Sequence, residues 1–454
     1  MTGLRRSPRA GAFLSIAGKQ LVDDARGAPA AVARRLSDVG RARRCANIAE
    51  LRAAARRAIP GPVFDFIDGA AGDEVTSSRN RDEFNALELR PRFLRDVSNV
   101  SLTTTVLGEP VACPVIGAPH GAGLLFHPDA EVGVARALHE AGTIYVVSSM
   151  ASQSLEEVAR RAPGPKWIQM YMWRDRGLTR ELIARARATQ GFRALVFTVD
   201  TPRVGARERD VRNGFTLPPR ITMRALASGC VHPRWSLRFM RSPEIGLANV
   251  RARERGDSLS LNQYARIAFD AAVTWRDVAW LREQWPGPIV LKGILTAQDG
   301  EKAAEAGVDG IVVSNHGGRQ LDHSPPAVRA LPEVLDAVGD QLEVLVDGGI
   351  RRGTDVAKVI ALGARACMVG RPMLYGLAAA GQAGAGRAIA ILRDELELTM
   401  TLLGCTSIRD LDARYVAPSA VGHPRIWGRM RADRETGDRV PEERAGLCPR
   451  LRVQ

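Results

Sequence analysis

The sequence predicts an α/β fold, a (β/α)8 TIM barrel with a long insertion after strand 4 and flexible N- and C-terminal tails. Eight times, a short apolar run is followed by a polar turn and an amphipathic helical pattern. The runs are apolar throughout instead of alternating, which is typical of strands covered by helices on both faces. Eight units favour a closed barrel, and a doubly wound sheet is the second choice.

Each predicted strand is a short run rich in branched apolar residues. The runs are PVIGAP (114–119), IYVVSS (144–149), KWIQMY (166–171), ALVFTVD (194–200), PIVLKGI (288–294), GIVVSNH (310–316), EVLVDGG (343–349) and ACMVGR (366–371). Helical patterns lie between them, among them DAEVGVARALHEAG, SLEEVARRA, TRELIARARA, TWRDVAWLREQW, TAQDGEKAAEAG and RGTDVAKVIALGA. Their acidic or Ser/Thr starts and glycine stops resemble helix caps.

The connection between the fourth and fifth strands breaks this rhythm. Residues from about 210 to 260 mix Pro, Gly and Arg with scattered Trp, Phe and Met. We interpret this stretch as a mobile insertion over the barrel mouth, because it leaves from the C-terminal end of a strand. Residues 1–43 and 418–454 are poorly periodic and Arg-rich, which predicts flexible tails around a barrel domain at 44–417.

Composition fits one large domain of 454 residues, 45% of them hydrophobic. The net charge of +14 comes almost entirely from arginine, and no nucleic-acid-binding motif is present, so we predict no nucleic-acid partner. The six cysteines form no CxxC pair, which argues against a metal site or a disulfide framework and fits a cytosolic setting. No apolar run reaches the length of a membrane span, and no convincing secretory signal is present.

Polar residues follow the predicted strands at the end where barrel enzymes carry their active sites. Any one of them could serve only to bond a loop backbone. Their convergence at one barrel mouth predicts a functional site instead. They are Ser148, Ser149, Gln169, Tyr171, Thr198, Asp200, Arg207, Lys292, Ser314, Asn315, His316, Arg319, Asp347, Gly348, Gly349, Gly370 and Arg371.

The glycines after the last two strands predict a phosphate site. They occur in VDGGIRRGTDV and MVGRP, at the starts of helical segments. Glycine lets backbone approach a ligand closely, and helix N-termini favour anions. The loops after strands seven and eight are the usual phosphate site of this barrel.

The stretch SNHGGRQLD (314–322) resembles the signature of the FMN-dependent 2-hydroxy-acid dehydrogenase and oxidase family, which includes glycolate oxidase, lactate dehydrogenase and mandelate dehydrogenase. The resemblance runs from about Ile48 to Ala417. It is carried further by RNRDEFNALELRPRFLRDVS, APHGAG, SSMASQSLEEVA, QMYMWRDR, TVDTPRVGARERDVRNGF, LKGILTA, DGGIRRGTDVAKVIALGA and VGRPMLYGLA. HPRWSLRFM in the insertion is most similar to the mandelate and bacterial lactate dehydrogenase branch.

The resemblance implies FMN as cofactor and a set of residues that bind it. Lys292 is expected beside the N1/O2 edge of the flavin, where a cation stabilises the reduced anionic form. Pro119, His120 and Gly121 are expected to run along the flavin face. The other implied cofactor-binding residues are Ser148, Gln169, Thr198, Ser314, Asp347, Gly348, Gly349, Arg351, Gly370 and Arg371.

The same resemblance implies oxidation of a lactate- or mandelate-like L-2-hydroxy acid to the 2-oxo acid. His316 is the implied base and Asp200 the carboxylate that orients it, since imidazole titrates near working pH. Arg319 and Arg207 are the implied carboxylate clamp, with Tyr171 as a hydroxyl partner. His316 would take the hydroxyl or the Cα proton as two electrons pass to flavin N5, and both routes stay open.

Three residues depart from the family pattern. Phe66 stands where most members have a tyrosine that donates to the substrate carboxylate, and His120 and Met150 replace commoner residues near the substrate. A lost neutral hydrogen bond costs about 0.5 to 1.5 kcal/mol. These departures bear on the identity of the substrate and leave the type of reaction unchanged.

Two other interpretations remain open. One is a non-redox FMN- or phosphate-binding barrel isomerase, which would not need His316, Arg319 and Asp200 together. The other is peripheral binding to the inner face of the cell membrane through residues 210–256, with a quinone as acceptor; a soluble lid with oxygen as acceptor is its alternative. For this contact the candidates are Arg224, Arg234, Trp235, Arg238, Phe239, Met240, Arg241, Arg251 and Arg253. A homo-oligomer, a tetramer by resemblance, is also expected.

Overall fold

A computed structural model describes residues 37–214, 229–242, 246–249 and 268–419. Its centre is a closed barrel of eight parallel strands, so the predicted fold is confirmed. Going round the barrel from the first, the strands are β4 (Val115–Gly117), β5 (Tyr145–Ser148), β6 (Lys166–Met170), β7 (Phe192–Thr198), β8 (Ile289–Ile294), β9 (Gly310–Val313), β10 (Glu343–Asp347) and β11 (Ala366–Val369), which closes on β4. Each lies within or overlaps one predicted run.

In the described part of the chain, eight helices cover the barrel. They are α5 (Ala130–Glu140), α6 (Leu155–Arg161), α7 (Arg176–Ala188), α10 (Trp275–Gln284), α11 (Ala297–Glu305), α12 (Ala327–Val338), α13 (Gly353–Ala361) and α14 (Arg371–Leu403). The six helical patterns quoted from the sequence coincide with six of them, all but α12 and α14. Side chains cap several of them as predicted: the Ser154 side chain accepts from Glu157 N, and that of Thr296 accepts from Asp299 N. Helix α14 has two non-helical residues, Ala380 and Gly381.

Two apolar cores hold the barrel. One fills its interior with side chains such as Val146, Val290 and Leu345. The other lies between strands and helices and includes Leu138, Leu331 and Leu392. Strands buried on both faces explain why the runs in the sequence are continuously apolar.

Segments before the barrel complete the fold. They are α1 (Asp38–Arg43), α2 (Ile48–Ala58), α3 (Gly61–Asp68), α4 (Val75–Asp82), β1 (Leu87–Leu89) and the hairpin of β2 (Thr104–Val106) and β3 (Glu109–Val111). The hairpin packs its apolar side chains into the interior core, and β1 pairs with β12 (Val416–Pro418). Helix α1 precedes the predicted domain start at 44 and contacts α14. The rest of the predicted N-terminal tail, and the C-terminal tail from 420, lie outside the described residues.

Two described helices lie between β7 and α10: α8 (Glu208–Arg212) and α9 (Pro233–Arg241). The Trp235 indole donates to Leu125 O at 2.9 Å, and Arg238 pairs with Asp38 at 3.0 Å. Trp235, Phe239 and Arg238, which the sequence assigns to a membrane contact, are therefore half-buried and partly engaged with the rest of the protein. Arg224, Arg251 and Arg253 lie outside the described residues.

Candidate active site

An open cavity lies at the C-terminal end of the barrel strands. Strand register places the predicted side chains around it: Ser148 is level with Gln169, and Thr198 with Lys292. The predicted residues that line it are Pro119, His120, Gly121, Ser148, Gln169, Tyr171, Thr198, Arg207, Lys292, His316, Arg319, Asp347, Gly348, Gly349, Arg351, Gly370 and Arg371. Asp200 and Ser314 do not line the cavity themselves. Asp200 hydrogen-bonds to His316, and Ser314 to Lys292, both of which do line it.

His316 and Asp200 form a half-buried pair across the barrel mouth. His316 Nδ1 lies 3.0 Å from Asp200 Oδ1 and 3.3 Å from Oδ2. The His316 amide donates to Ser314 Oγ at 3.0 Å. Because Asp200 engages Nδ1, the Nε2 atom is the ring nitrogen left to face the cavity. This is the arrangement of a base whose ring is oriented by a carboxylate.

Electrostatics keep the His316 ring neutral at neutral pH. Burial lowers the pKa of His316; Asp200 opposes this, while the cations Lys292 and Arg207 lower the pKa further. Burial would raise the pKa of Asp200, but His316 and Lys292 outweigh it, so this pKa is lowered. A neutral imidazole beside an ionised carboxylate is ready to accept a proton.

Lys292 is a buried cation at the end of β8. Its ammonium lies 3.0 Å from Asp347 Oδ2 and donates to Ser314 Oγ at 2.9 Å. Burial alone would lower its pKa, but Asp347 and Asp200 together raise it. Lys292 therefore stays charged, at the floor of the cavity. A surface lysine would not be only 3% exposed.

A chain of hydrogen bonds crosses the ends of β5, β6 and β7, beside Lys292. Ser148 Oγ donates to Gln169 Oε1 at 2.8 Å, and Gln169 Nε2 donates to Thr198 Oγ1 at 2.9 Å. The three side chains are buried. Each is thus held in a fixed orientation at the cavity.

Three arginines crowd one side of the cavity. Arg319 donates to Gly69 O at 2.6 Å, and Arg371 donates to the same carbonyl at 3.0 Å. Burial, together with the neighbouring Arg207 and Arg371, holds the pKa of Arg319 well below its usual value. Burial also lowers the pKa of Arg371 to about 10. Neighbouring buried cations bonded to neutral carbonyls favour an anionic ligand.

The glycine pair after β10 needs glycine for two physical reasons. Gly348 and Gly349 have φ of 95° and 87°, a region that L side chains rarely adopt. A Cβ on Gly349 would also lie 1.9 Å from Asn80 O. The backbone at Gly349 therefore makes the close approach that the sequence predicts, but the group it approaches is the backbone of helix α4.

The three unusual residues all border the cavity. The Phe66 ring lies 5.6 Å from the Arg319 guanidinium and 6.1 Å from the Phe126 ring. His120 is buried, with its Nδ1 atom 3.1 Å from the Tyr145 hydroxyl, and burial lowers its pKa to about 4. Phe66 thus places an apolar ring beside a cation that the resemblance assigns to the substrate carboxylate.

Some cavity residues were not singled out from the sequence. Thr201 donates to Asp200 Oδ1 at 2.9 Å, Phe269 stacks on Tyr171 at 4.5 Å, and Leu247 also lines the wall. Leu247 and Phe269 come from the connection between β7 and β8, where the sequence has no period that would place them. Thr201 directly follows Asp200, and that adjacency was the available signal.

A family model described as "FMN-dependent dehydrogenase" matches residues 55–418. The chain belongs to this family. It is 42% identical over 370 residues to glycolate oxidase 1 of Zea mays, covering 82% of this chain and 95% of the relative. It is 43% identical over 374 residues to an L-lactate oxidase of Nostoc sp., covering 82% and 97%. A solved structure of a monotopic membrane protein, (S)-mandelate dehydrogenase, superposes with a TM-score of 0.78 and 35% identity, covering 83% of this chain and all of that one.

Family membership confirms the predicted FMN dependence and the oxidoreductase class, and it gives no support to the isomerase alternative. The cavity of this FMN-dependent dehydrogenase fits the cofactor in two further ways. Among the described residues, Asp347 Oδ1 is a buried acceptor with no hydrogen-bond partner, so it can accept from a donor group of the cofactor. Gly370 is the N-cap residue of α14, beside Arg371, and a Cβ there would meet no atom nearer than Ala118 Cβ at 3.7 Å.

Proposed function

We propose that this FMN-dependent dehydrogenase oxidises an L-2-hydroxy acid to the 2-oxo acid, with His316 as base. The observation that carries the proposal is the meeting of the His316 and Asp200 pair with Arg319 and Arg207 at one cavity. A 2-hydroxy acid needs a proton acceptor next to a cationic carboxylate clamp, and this cavity contains both.

Each proposed substrate-binding side chain has a distinct task. Arg319 and Arg207 bind the carboxylate, which relieves the mutual repulsion of two buried cations. Tyr171 contributes a hydroxyl, and burial raises its pKa, so it stays protonated as a donor. His316 accepts one proton: from the hydroxyl if a hydride leaves Cα, or from Cα if a carbanion forms. Asp200 stabilises the resulting imidazolium.

FMN, when bound, accepts the two electrons that the substrate loses. Lys292, Ser148, Gln169 and Thr198 would hold its ring, and Pro119, His120 and Gly121 would lie along it. Ser314 would act by holding Lys292. The ribityl chain and phosphate would be held by Asp347, Gly348, Gly349, Arg351, Gly370 and Arg371.

His316→Ala tests the proposed role of the base. We expect the variant to keep its FMN and to lose flavin reduction by substrate by at least about 100-fold, the usual reach of a general base. Anaerobic stopped-flow absorbance measures the rate, and Ser78→Ala, an exposed change on α4, is the control. A His316→Ala protein that reduces its flavin at the wild-type rate would show that another group is the base.

For the electron acceptor we propose a quinone at the membrane surface, with oxygen as the alternative. Helix α9 supports this, because it exposes Leu237 and Met240 beside Arg234 and Arg241, a mixture suited to an anionic lipid surface. The mandelate dehydrogenase it resembles is described as monotopic. Among the described residues, none of the helices has the length and apolar character needed to span a bilayer.

Sedimentation with vesicles tests this attachment. We expect binding to anionic vesicles at low salt, loss of binding at high salt because the charges are screened, and weaker binding of Leu237→Asp/Met240→Asp. Protein that stays in the supernatant with anionic vesicles at low salt, and is reoxidised by oxygen as fast as by quinone, would identify a soluble oxidase.

Self-association into a homo-oligomer is also proposed. Four large apolar side chains are exposed close together: Phe93, Leu94, Leu398 and Leu402. The backbone bond from Arg92 N to Leu403 O brings the two segments side by side. Clustered exposed apolar groups mark interaction sites. Sedimentation equilibrium of Leu398→Glu/Leu402→Glu should show a smaller assembly than the wild type, and an unchanged mass would exclude this contact.

A further inference from the structure

The turn that carries His316 has a strained backbone. His316, Gly317 and Gly318 have φ of 58°, 63° and 76°, so three consecutive residues are in the left-handed region. For a residue with a Cβ this costs roughly 1–2 kcal/mol, and such a conformation persists only where the surrounding structure imposes it. Contacts from outside the turn must therefore hold His316 in place.

A reciprocal pair of side-chain amides supplies the first of these contacts. Asn80 Nδ2 donates to Asn315 Oδ1 at 2.8 Å, and Asn315 Nδ2 donates to Asn80 Oδ1 at 2.8 Å. Both residues are buried. Asn315 Oδ1 also accepts from Gly318 N at 3.1 Å, and so closes the turn around His316.

The orientation of the pair is fixed by its surroundings. Asn315 Nδ2 also donates to Pro325 O at 2.9 Å, and Asn80 Oδ1 accepts from Ala327 N at 3.4 Å. Reversing the two amides would turn NH2 groups towards the N–H groups of Gly318 and Ala327. Only one arrangement satisfies every donor and acceptor, and in it Asn80 reinforces the direction of the Asn315 oxygen towards Gly318 N.

Helix α4, which carries Asn80, also packs directly against the backbone of both ligand-facing turns. A Cβ on Gly318 would lie 2.6 Å from Ser77 N, and one on Gly349 would lie 1.9 Å from Asn80 O. The Gly318 carbonyl accepts from Ala71 N at 2.9 Å. This helix lies outside the barrel repeat, yet it contacts the His316 turn and the glycine turn after β10 together.

We propose that Asn80 is a positioning residue for His316: it holds Asn315, Asn315 closes the strained turn, and the turn aims the imidazole at Asp200 and the cavity. The assignment rests on the proposed function of His316 as base. Without Asn80, the Asn315 amide loses two of its four hydrogen bonds and keeps those to Gly318 N and Pro325 O. The turn can then relax, so His316 loses its orientation while its chemistry is unchanged.

Asn80→Ala in the full-length holoprotein tests this. We expect the limiting rate of anaerobic flavin reduction by a 2-hydroxy acid to fall about 10- to 100-fold, the cost of misplacing a reacting group by about 1 Å. Reduction by dithionite, which needs no base, should keep the wild-type rate, and the FMN content should be unchanged. Ser78→Ala, on the exposed face of the same helix, should match the wild type in all three.

A double-mutant comparison separates positioning from general weakening of the fold. Asn80→Ala/Asn315→Ala should be no slower than Asn315→Ala alone, because both residues act through one turn. Losses that multiply would overturn the proposal. If Asn80→Ala does not fold with FMN, Asn80→Asp replaces it: this side chain keeps the shape but turns an oxygen towards Asn315 Oδ1, and the same loss is expected.

Two outcomes distinguish this proposal from the proposed function. Wild-type rates of flavin reduction by the substrate in the Asn80 variant that folds would overturn the positioning role alone. A wild-type protein whose flavin dithionite reduces, but no 2-hydroxy acid reduces, would overturn the proposed function and the positioning role with it.

Discussion

Asp200→Asn isolates the charge that supports His316, since asparagine has almost the shape of aspartate. The two carboxylate oxygens lie 3.0 and 3.3 Å from His316 Nδ1. A hydrogen bond to a charged partner contributes about 1 kcal/mol more than a neutral one, which sets the lower limit of the effect. The attraction of two unit charges at about 4 Å and an effective dielectric constant of about 20, roughly 4 kcal/mol, sets the upper limit. The limiting rate of flavin reduction should therefore fall between about 5-fold and 1000-fold.

The pH dependence of flavin reduction in Asp200→Asn is a second, independent test of the role of the Asp200 charge. A base works when it is deprotonated, so the rate rises with pH through the pKa of His316 and is level above it. Burial lowers this pKa and Asp200 opposes the shift, while Lys292 and Arg207 add to it. Without the carboxylate the pKa falls further. The acid limb of the profile should move to lower pH while the plateau drops.

Anaerobic stopped-flow measurements across the pH range test both parts. Thr201→Val is the matched control, because it removes a hydrogen bond to Asp200 at 2.9 Å but leaves the charge; it should cost at most about tenfold. An Asp200→Asn plateau equal to that of the wild type, or an acid limb displaced to higher pH, would refute the reasoning.

Three further predictions concern the cofactor and substrate residues. Lys292→Met leaves the Asp347 carboxylate buried without its cation, so we expect a loss of about 3–5 kcal/mol in denaturant unfolding, part of which Lys292→Met/Asp347→Asn should restore; equal stability of single and double variants would argue against the pair. Phe66→Tyr should add a donor beside Arg319 and lower the KM for small 2-hydroxy acids by up to about tenfold; an unchanged KM would mean that the ring does not face the substrate. Gly349→Ala should abolish FMN content, measured by absorbance after purification, because its Cβ would lie 1.9 Å from a backbone oxygen of α4; a fully loaded variant would contradict this.

The barrel and most of the cavity residues are predictable from the sequence. The C-terminal ends of all the parallel strands lie at one end of the barrel, so the residues that follow each apolar run must lie close together. Lys292 illustrates this: a lysine inside an apolar run had to be a buried cation, and it is one. The FMN dependence followed from the signature around His316.

Segments outside the strand–helix repeat of the barrel cannot be placed in this way. The amide pair between Asn80 and Asn315 joins residues 235 positions apart, and no local pattern predicts that contact. Helix α9 shows the same limit. Its arginines and aromatic residues indicated a membrane-facing surface, but Trp235 and Phe239 pack against the protein, and Leu237 and Met240 are the apolar residues it exposes. The spacing of apolar residues in the sequence shows that a helix is amphipathic, whereas tertiary contacts decide which of its faces is covered.

The most direct test of the central claim is anaerobic mixing of the purified FMN-loaded protein with glycolate, lactate, mandelate and longer 2-hydroxy acids. Loss of the oxidised flavin absorbance should occur with at least one of them, with one 2-oxo acid formed for each flavin reduced, and His316→Ala should slow it by at least about 100-fold. Flavin that stays oxidised with every 2-hydroxy acid, yet is reduced by dithionite, would contradict the account.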